Sequence, residues 1–488
     1  MKITFSNLGT IKKTSLDLRP LTVIIGPNNS SKTYVAYTIH GLLKSLPAAF
    51  ITAIDTSEIS SRKVKKTAQL KIDDELAGLF NKRLALATAS FLKGMSTFFQ
   101  DTSGTLFART RLGVHVDTEE LLGKVDKLAR AFRAERRISV ADKVASIELA
   151  EGEDAASCAA AFATHLGRSM TLGRPFLLPA ERNAFILSYR MLANRRYKLM
   201  RETQQTLFQF SDPQRLGSSG KAANVRRSPR EFNAPGGRKS LNVLAQQIPF
   251  DIPENQAVTQ YPKPLEDFLD FLTDIEIQDD ADSAGGGAAF TQLADSVEQS
   301  IQSNNRLRFE PTPHGGRKLK IDVEGGPSID LYNASSSIKQ LASLLLYLRH
   351  RARPDDLLII DEPEMNLHPE AQAKLLEILG ILVNLGVRVL LTTHSPYLMT
   401  HLNNITSGDT SRPAALKRQA SSLYLKDPRA FLPLSQVSAY EMRDNELRSL
   451  KDDDYGIRWD TLSDVSVDLQ QRYFEIDEKG RSRHVKTA

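Results

Sequence analysis

One cysteine, Cys158, is all that the 488 residues contain. A single thiol excludes a disulfide framework within the chain and a cysteine-built zinc site, and it suits a reducing interior. No apolar run approaches the roughly 18 residues of a membrane span. The opening Met1-Lys2-Ile3-Thr4-Phe5-Ser6 lacks the apolar core of a secretory signal. The expectation is a cytoplasmic protein with no membrane partner. No internal repeat is visible, and neither charge sign dominates. The 64 Lys and Arg against 58 Asp and Glu leave a net +6, which permits a nucleic-acid partner without requiring one. The remaining composition, 41% hydrophobic and 25% charged, is that of an ordinary globular protein. The length implies more than one domain or lobe.

The densest stretch is Leu357-Leu358-Ile359-Ile360-Asp361-Glu362-Pro363-Glu364-Met365-Asn366-Leu367-His368-Pro369. Four apolar residues predict a buried central strand, and two carboxylates stand at its end. In a nucleotide-hydrolysing protein that layout sets Asp361 near a magnesium ion and Glu362 near an attacking water. A core strand that merely ends in acids reads the same way in isolation, so the rest of the chain decides. Residues 1–25 alternate into two edge strands and a buried one, Leu21-Thr22-Val23-Ile24-Ile25. The buried strand runs into Gly26-Pro27-Asn28-Asn29-Ser30-Ser31-Lys32-Thr33, then an apolar helical segment from Tyr34 to Leu46. Strand, polar loop and Lys-Thr opening a helix is the setting of a phosphate-binding loop. Loop amides and the helix N-terminus cradle the phosphates. Lys32 reaches the β- and γ-phosphates, and the Thr33 hydroxyl reaches magnesium. The usual pattern, G-x-x-x-x-G-K-S/T, has a glycine where this chain has Ser31. Either the backbone there keeps an angle that a small residue tolerates, or the site is impaired.

Between these motifs, residues 47–175 carry apolar residues at three- and four-residue spacing, as in Leu121, Leu122, Val125, Leu128 and Phe132, and read as mostly helical. Basic runs at Arg62-Lys63-Val64-Lys65-Lys66 and at Arg130, Arg133, Arg136 and Arg137 suit solvated helix faces. Phe176 to Arg182 is a short strand ending in a charged pair. Residues 211–240 hold Lys221, Arg226, Arg227, Arg230, Arg238 and Lys239 against two acids, Asp212 and Glu231, a mobile basic loop open to phosphate contact. It lacks the aromatic interleaving of a single-strand-binding surface. Arg306 to Phe309 and Leu319 to Val323 read as a hairpin turning at His314-Gly315-Gly316. Asn333 to Gln340, with its serine run, is either a plain capped helix start or one that offers hydroxyls and amides to a phosphate. The strand Val387 to Thr393 ends in His394, whose imidazole is placed to contact a γ-phosphate or orient a water.

In this order the motifs resemble the ABC-type ATPase head of the RecF, SMC and OLD-like group of AAA-family ATPases. Gly26 to Thr33 resembles Walker A, and Ser335-Ser336-Ser337-Ile338-Lys339 the signature motif. Leu357 to Glu362 resembles Walker B, Asn366 to Pro369 the segment after it, and His394 the switch histidine. Leu178-Pro179-Ala180-Glu181-Arg182 is similar to a feature of stand-alone members, with Glu181 near the Q-loop position. The resemblance implies an α/β fold: a P-loop ABC-type ATPase head with a mixed central sheet, an antiparallel β lobe and a large helical insertion. Its parts would be residues 1–46 and 301–400, a mainly helical insertion 47–300, and a small α/β extension 401–488.

The same resemblance implies ATP and Mg2+ as cofactors. Gly26, Asn28, Asn29, Ser30, Ser31, Lys32 and Thr33 would bind nucleotide, Thr33 and Asp361 the metal, and Glu362 and His394 would be catalytic. Two heads would sandwich two ATP molecules, with Ser335, Ser336 and Ser337 of one subunit on the nucleotide of the other, giving a homodimer or higher homo-oligomer. A C-terminal Toprim nuclease of the OLD kind is not expected, because Asp452-Asp453-Asp454 lies in a polar loop with no suitable glutamate before it. His401 and His484 make no HNH set. The resemblance then narrows to stand-alone ATPase subunits of anti-phage systems of the Septu and PARIS types, with a nuclease effector in trans. A RecF-like DNA-repair ATPase, with nucleic acid on the basic helical insertion, and an ATP-binding scaffold with little turnover are the alternatives.

Overall fold

The structure, a computed structural model, describes residues 1–132, 138–171, 173–192, 261–277, 287–312, 317–452, 456–459, 467–468 and 470–476. The chain forms two compact units, Met1–Ser188 with Tyr261–Ala488, and Tyr189–Gln260. In the second, only residues 189–192 are described, and they are helical. The basic loop 211–240 lies outside the described residues, as do Arg133, Arg136, Arg137, His314, Asp453, Asp454 and His484. The first unit carries every motif of the expected site.

Its strands begin with β1 (Lys2–Leu8), β2 (Ile11–Asp17), β3 (Leu21–Ile25), β4 (Ser61–Val64), β5 (Thr67–Lys71) and β6 (Arg111–His115). They continue with β7 (Ile138–Ala141), β8 (Val144–Glu148), β9 (Pro175–Leu178), β10 (Arg306–Pro311), β11 (Arg317–Asp322) and β12 (Ser328–Asp330). Last come β13 (Leu357–Asp361), β14 (Arg388–Thr393), β15 (Val437–Arg443) and β16 (Glu446–Ser449). The centre is a six-stranded mixed sheet in the order β16-β15-β3-β14-β13-β9. All neighbours in it are parallel except β15 and β16. Every residue of β3, β9 and β13 is buried, as a parallel sheet covered on both faces demands. Ile24, Thr392 and Asp361 form one row across β3, β14 and β13. The loops after these three strands therefore open at one end of the sheet, where α/β folds place ligands.

Helix α1 (Lys32–Ser45) starts directly after the phosphate loop and buries Val35, Ala36, Ile39, Leu42 and Leu43. That three- and four-residue spacing forms one apolar stripe. Helix α2 (Ser336–His350) is capped by Ser335 and buries Leu341, Leu344, Leu345 and Leu348. Its last turn carries Arg349 and His350, where cations complement the helix dipole.

The α/β head with its mixed central sheet and antiparallel β lobe is as expected, but three segments differ in detail. β1 is the middle strand of the antiparallel sheet β2-β1-β6 rather than an edge, with Ile3 and Phe5 fully buried. Residues 47–175 are less helical than their spacing suggests, for they also form the four-stranded antiparallel sheet β4-β5-β8-β7. Arg62 and Lys63 sit on β4, not on a helix face. Those strands have only four or five residues, and the tight turn at Asp142 and Lys143, both with positive φ, is a two-residue hairpin connection. Alternation that brief is lost inside a helix-length window. Finally, within the expected extension 401–488, β15 joins the central sheet, pairing with β3 from Val437↔Leu21 to Glu441↔Ile25. β9, at the other edge, likewise brings part of the expected insertion into the head.

The hairpin β10–β11 forms in the register Arg306↔Asp322, and β12 extends it. Its surface charges are largely paired, Arg308 with Asp322, Lys320 with Glu310 and Lys318 with Asp330. No helix among the described residues is long and apolar enough to cross a membrane.

Candidate nucleotide-binding site

The loop begins where β3 leaves the sheet. A Cβ on Gly26 would lie 2.7 Å from Met442 Cβ and 3.0 Å from the Met442 carbonyl oxygen on β15, so the neighbouring strand requires glycine there. Asn29 and Ser31 then take left-handed backbone, φ 59° and 69°. Asparagine tolerates that region better than serine does. Ser31 thus keeps the glycine-like angle of the pattern, and the turn between β1 and β2 holds it. Its Oγ accepts the Thr10 N–H at 3.0 Å and lies 2.9 Å from Thr10 Oγ1. Lys32 is 5% exposed and folds back on the loop, donating to the carbonyls of Gly26 at 3.0 Å and Pro27 at 2.8 Å. Burial pulls its ammonium pKa down, while Glu362, Asp361 and Glu364 oppose the shift. Asn28 and Asn29 are exposed, and Ser30 Oγ donates to the Pro27 carbonyl.

Asp361 ends β13 and is 1% exposed. The Thr33 hydroxyl donates to its Oδ2 at 2.9 Å, and the Thr392 hydroxyl donates to its Oδ1. Burial raises its carboxyl pKa, the two hydroxyls pull it back, and Glu362 and Glu181 add to the rise. A hydroxyl and a carboxylate side by side are hard oxygen donors, and Mg2+ commonly takes one or two protein ligands with phosphates and waters filling the rest. The pair fits that ion.

Glu362, one residue on, has φ 48°. Its N–H donates to the Thr392 carbonyl at 3.1 Å, and its Oε1 lies 3.2 Å from His394 Nε2. Both side chains are part-exposed, so a water can reach them. A carboxylate paired with an imidazole at an accessible strand end is an arrangement for proton transfer. Burial and the charges of Asp361 and Glu181 also push the Tyr37 phenol pKa well up.

Three further residues belong here that the motifs did not single out. Thr392 holds Asp361 from the neighbouring strand. Glu364 Oε1 accepts from Thr393 Oγ1 at 2.7 Å and from the His394 N–H at 2.6 Å, fixing the histidine's backbone. Arg182 is buried behind the acids, with Nη1 donating to the Asp361 carbonyl at 2.8 Å and Nη2 to the Glu362 carbonyl at 2.9 Å. Glu364 had a signal in the Glu362-Pro363-Glu364 run after Asp361; Arg182 showed only as half of a charged pair.

The serines are not brought into this cluster. Ser335 Oγ accepts the Ile338 N–H at 3.4 Å and lies 3.0 Å from Ser337 Oγ, and Ser336 is exposed. Among the described residues their side-chain hydrogen bonds are local. A cleft of about 740 Å³ runs along the phosphate loop, lined among others by Asn28, Asn29, Ser30, His394, Met442 and Trp459.

Residues 172–400 match the family model described as "AAA domain, putative AbiEii toxin, Type IV TA system". The matched span is just under half of the chain and begins after the phosphate loop, Gly26 to Thr33; the fold itself is of the α/β P-loop class. No curated protein matches the chain. Among solved structures, it is similar to the Smc head bound to the C-winged helix domain of ScpA, at 12% identity, over 92% of this chain and 96% of that one, with a TM-score of 0.34. It is also similar to the SMC head domain from Thermotoga maritima, at 8% identity, over 92% and 97% of the two chains, with a TM-score of 0.30.

Proposed function

We propose that the chain binds ATP with Mg2+, hydrolyses it, and uses closure on a second copy of itself to control a separate effector protein in anti-phage defence. The observation that carries the hydrolytic reading is the convergence of Thr33, Asp361, Thr392, Glu362 and His394 at the ends of three neighbouring parallel strands. Lys32 exchanges the Gly26 and Pro27 carbonyls for phosphate oxygens, a cation's preferred acceptors. Thr33 and Asp361 would hold Mg2+, which when bound neutralises phosphate charge. Glu362 accepts a proton from the attacking water, and His394 steers the Glu362 carboxylate. Ser335, Ser336 and Ser337, whose bonds are only local, complete the site of a second copy. The effector role is supported by the resemblance to stand-alone ATPase subunits; the matched family's description as a putative toxin of a toxin–antitoxin system bears on the conflict setting and not on a separate effector.

Glu362→Gln is the direct test of the hydrolytic reading. The variant should retain ATP, self-associate more tightly, and lose about 100-fold or more in turnover. Unchanged phosphate release would refute the assignment of Glu362. For the effector role, the tagged protein should co-purify with a nuclease from its host. Tight DNA binding with no protein partner would instead favour a repair ATPase.

A further inference from the structure

Arg182 follows β9 and begins a helical stretch. It is 2% exposed, yet among the described residues no carboxylate lies within ion-pair distance of it. Its guanidinium is spent on carbonyls of three chain segments. Nη1 donates to Pro179 O at 2.8 Å and Asp361 O at 2.8 Å, Nη2 to Glu362 O at 2.9 Å, and Nε to Gln340 O at 3.3 Å. With its amide oxygen turned toward the guanidinium, the buried Gln340 side chain accepts from Nε at 3.1 Å while its nitrogen donates to Asn183 Oδ1 at 2.9 Å. Burial lowers the guanidinium pKa to about 10, against the pull of Asp361, Glu364, Glu362 and Glu181. A buried cation is costly unless its donors are satisfied, and a planar fork with five N–H groups is what satisfies them here. Lysine, with three donors at one point, cannot span the same acceptors.

The carbonyl it grips matters. Glu362 sits in left-handed backbone, φ 48°, which strains a non-glycine residue. It stays there because Thr392 holds its N–H and Arg182 holds its C=O. On the other side the same guanidinium holds Gln340, one turn into α2 from Ser337. We propose that Arg182 is a positioning residue for hydrolysis: it sets the Glu362 backbone, and through Gln340 it ties that setting to the helix that begins at Ser335–Ser337. Movement of α2 when its serines meet a phosphate thereby reaches Glu362 directly. The inference rests on the hydrolytic reading above.

Steady-state ATPase assays on the full chain test it, with Arg182→Lys made alone and in the Glu362→Gln background. Misplacement of a catalytic group by about 1 Å costs on the order of 100-fold. Arg182→Lys alone should lose 30- to 100-fold in kcat, on the order of that figure, with KM for ATP within about threefold, because the phosphate loop is untouched. In the Glu362→Gln background the same substitution should change the residual rate by less than about threefold, since a residue acting through Glu362 has nothing left to position. Gln340→Met, neutral and similar in volume, should lower kcat by roughly five- to tenfold at unchanged KM, and it carries the test if Arg182→Lys does not fold. Equal losses in both backgrounds, a KM that rises as kcat falls, or full activity in Arg182→Lys and Gln340→Met would each overturn the proposal and leave the hydrolytic reading standing. No turnover by the wild type would overturn both.

Discussion

Replacing Ser31 by glycine and by alanine separates the two things this residue contends with. At φ 69° a residue with a Cβ bears roughly 1–2 kcal/mol of strain. Against that, Ser31 Oγ makes two hydrogen bonds to Thr10, each worth about 0.5–1 kcal/mol at a part-exposed site. Ser31→Gly removes the strain, loses both bonds, and adds about 0.4–1 kcal/mol of chain entropy to the unfolded state. Strain and bonds nearly cancel, leaving a net loss of about 0.4–1 kcal/mol from the entropy. Ser31→Ala keeps the strain and still loses both bonds, so the loop should weaken by about 1–2 kcal/mol. In so large a chain a global melt is a blunt measure. Hydrogen–deuterium exchange of the peptides covering Thr10 and residues 26–35 reads the local opening directly. Exchange should quicken about five- to thirtyfold in Ser31→Ala, the equivalent of about 1–2 kcal/mol, and by about two- to fivefold in Ser31→Gly, always less than in Ser31→Ala. ATP affinity in Ser31→Gly should stay within about threefold. Wild-type exchange in both variants would show that neither strain nor the Thr10 anchor governs the loop, and equally quickened exchange in both would show that strain does not.

The buried His40 makes stability pH-dependent. Burial lowers its imidazole pKa to about 4, so the unfolded chain, near 6.5, takes up the proton first. Stability is therefore full above pH 6.5 and falls as pH drops toward 4, by at most about 3 kcal/mol. His40→Gln should flatten that part of a stability-versus-pH curve, and an unaltered slope would rule the residue out. Asp361→Asn relieves a carboxylate that burial disfavours while keeping partners for Thr33 and Thr392. The nucleotide-free variant should melt higher than wild type at neutral pH and lose Mg2+-dependent ATP turnover; a lower melting point would contradict the burial argument. Glu364→Ala releases the His394 N–H and Thr393 Oγ1, and should lower kcat about tenfold with KM nearly unchanged. A change in KM alone would place Glu364 in nucleotide binding instead.

What the sequence shows well is what lies in one short string. The strand–loop–Lys32-Thr33 unit, the strand ending in Asp361-Glu362 and the strand ending in His394 each join an element and its chemical residue within a few positions, and the structure sets them side by side. The serines of Ser335–Ser337 are equally legible as a helix cap. What stays hidden depends on long-range pairing. Nothing near Val437–Arg443 says that it aligns with a strand more than 400 residues earlier. The partners of Arg182 lie 158 to 180 residues away, apart from Pro179, and, the Gln340 side-chain amide aside, they are backbone carbonyls, which carry no residue-type signature. The short strands β4, β5, β7 and β8 were hidden differently, by a period-2 pattern too brief to stand out against the helical spacing around it.

The left-handed residues show how these two kinds of information combine. Asn29, Ser31, Glu362 and Asn366 all have φ between 48° and 69°, and they lie in the two loops that carry the chemistry. Such angles persist only where surrounding contacts over-determine them. At Ser31 the holding contact is Thr10, from the turn between β1 and β2. At Glu362 it is Thr392 from β14 on one side and Arg182 from beyond β9 on the other. The motif strings name the strained residues, and residues outside the strings hold them in place. That explains how serine can stand where the pattern asks for glycine: the requirement is for the angle, and a contact from a distant segment supplies it. It follows that substitutions at Thr10, Thr392 and Arg182 should impair the site more than changes at the exposed Asn28, although Asn28 belongs to the phosphate-loop motif and Thr10 and Thr392 to none.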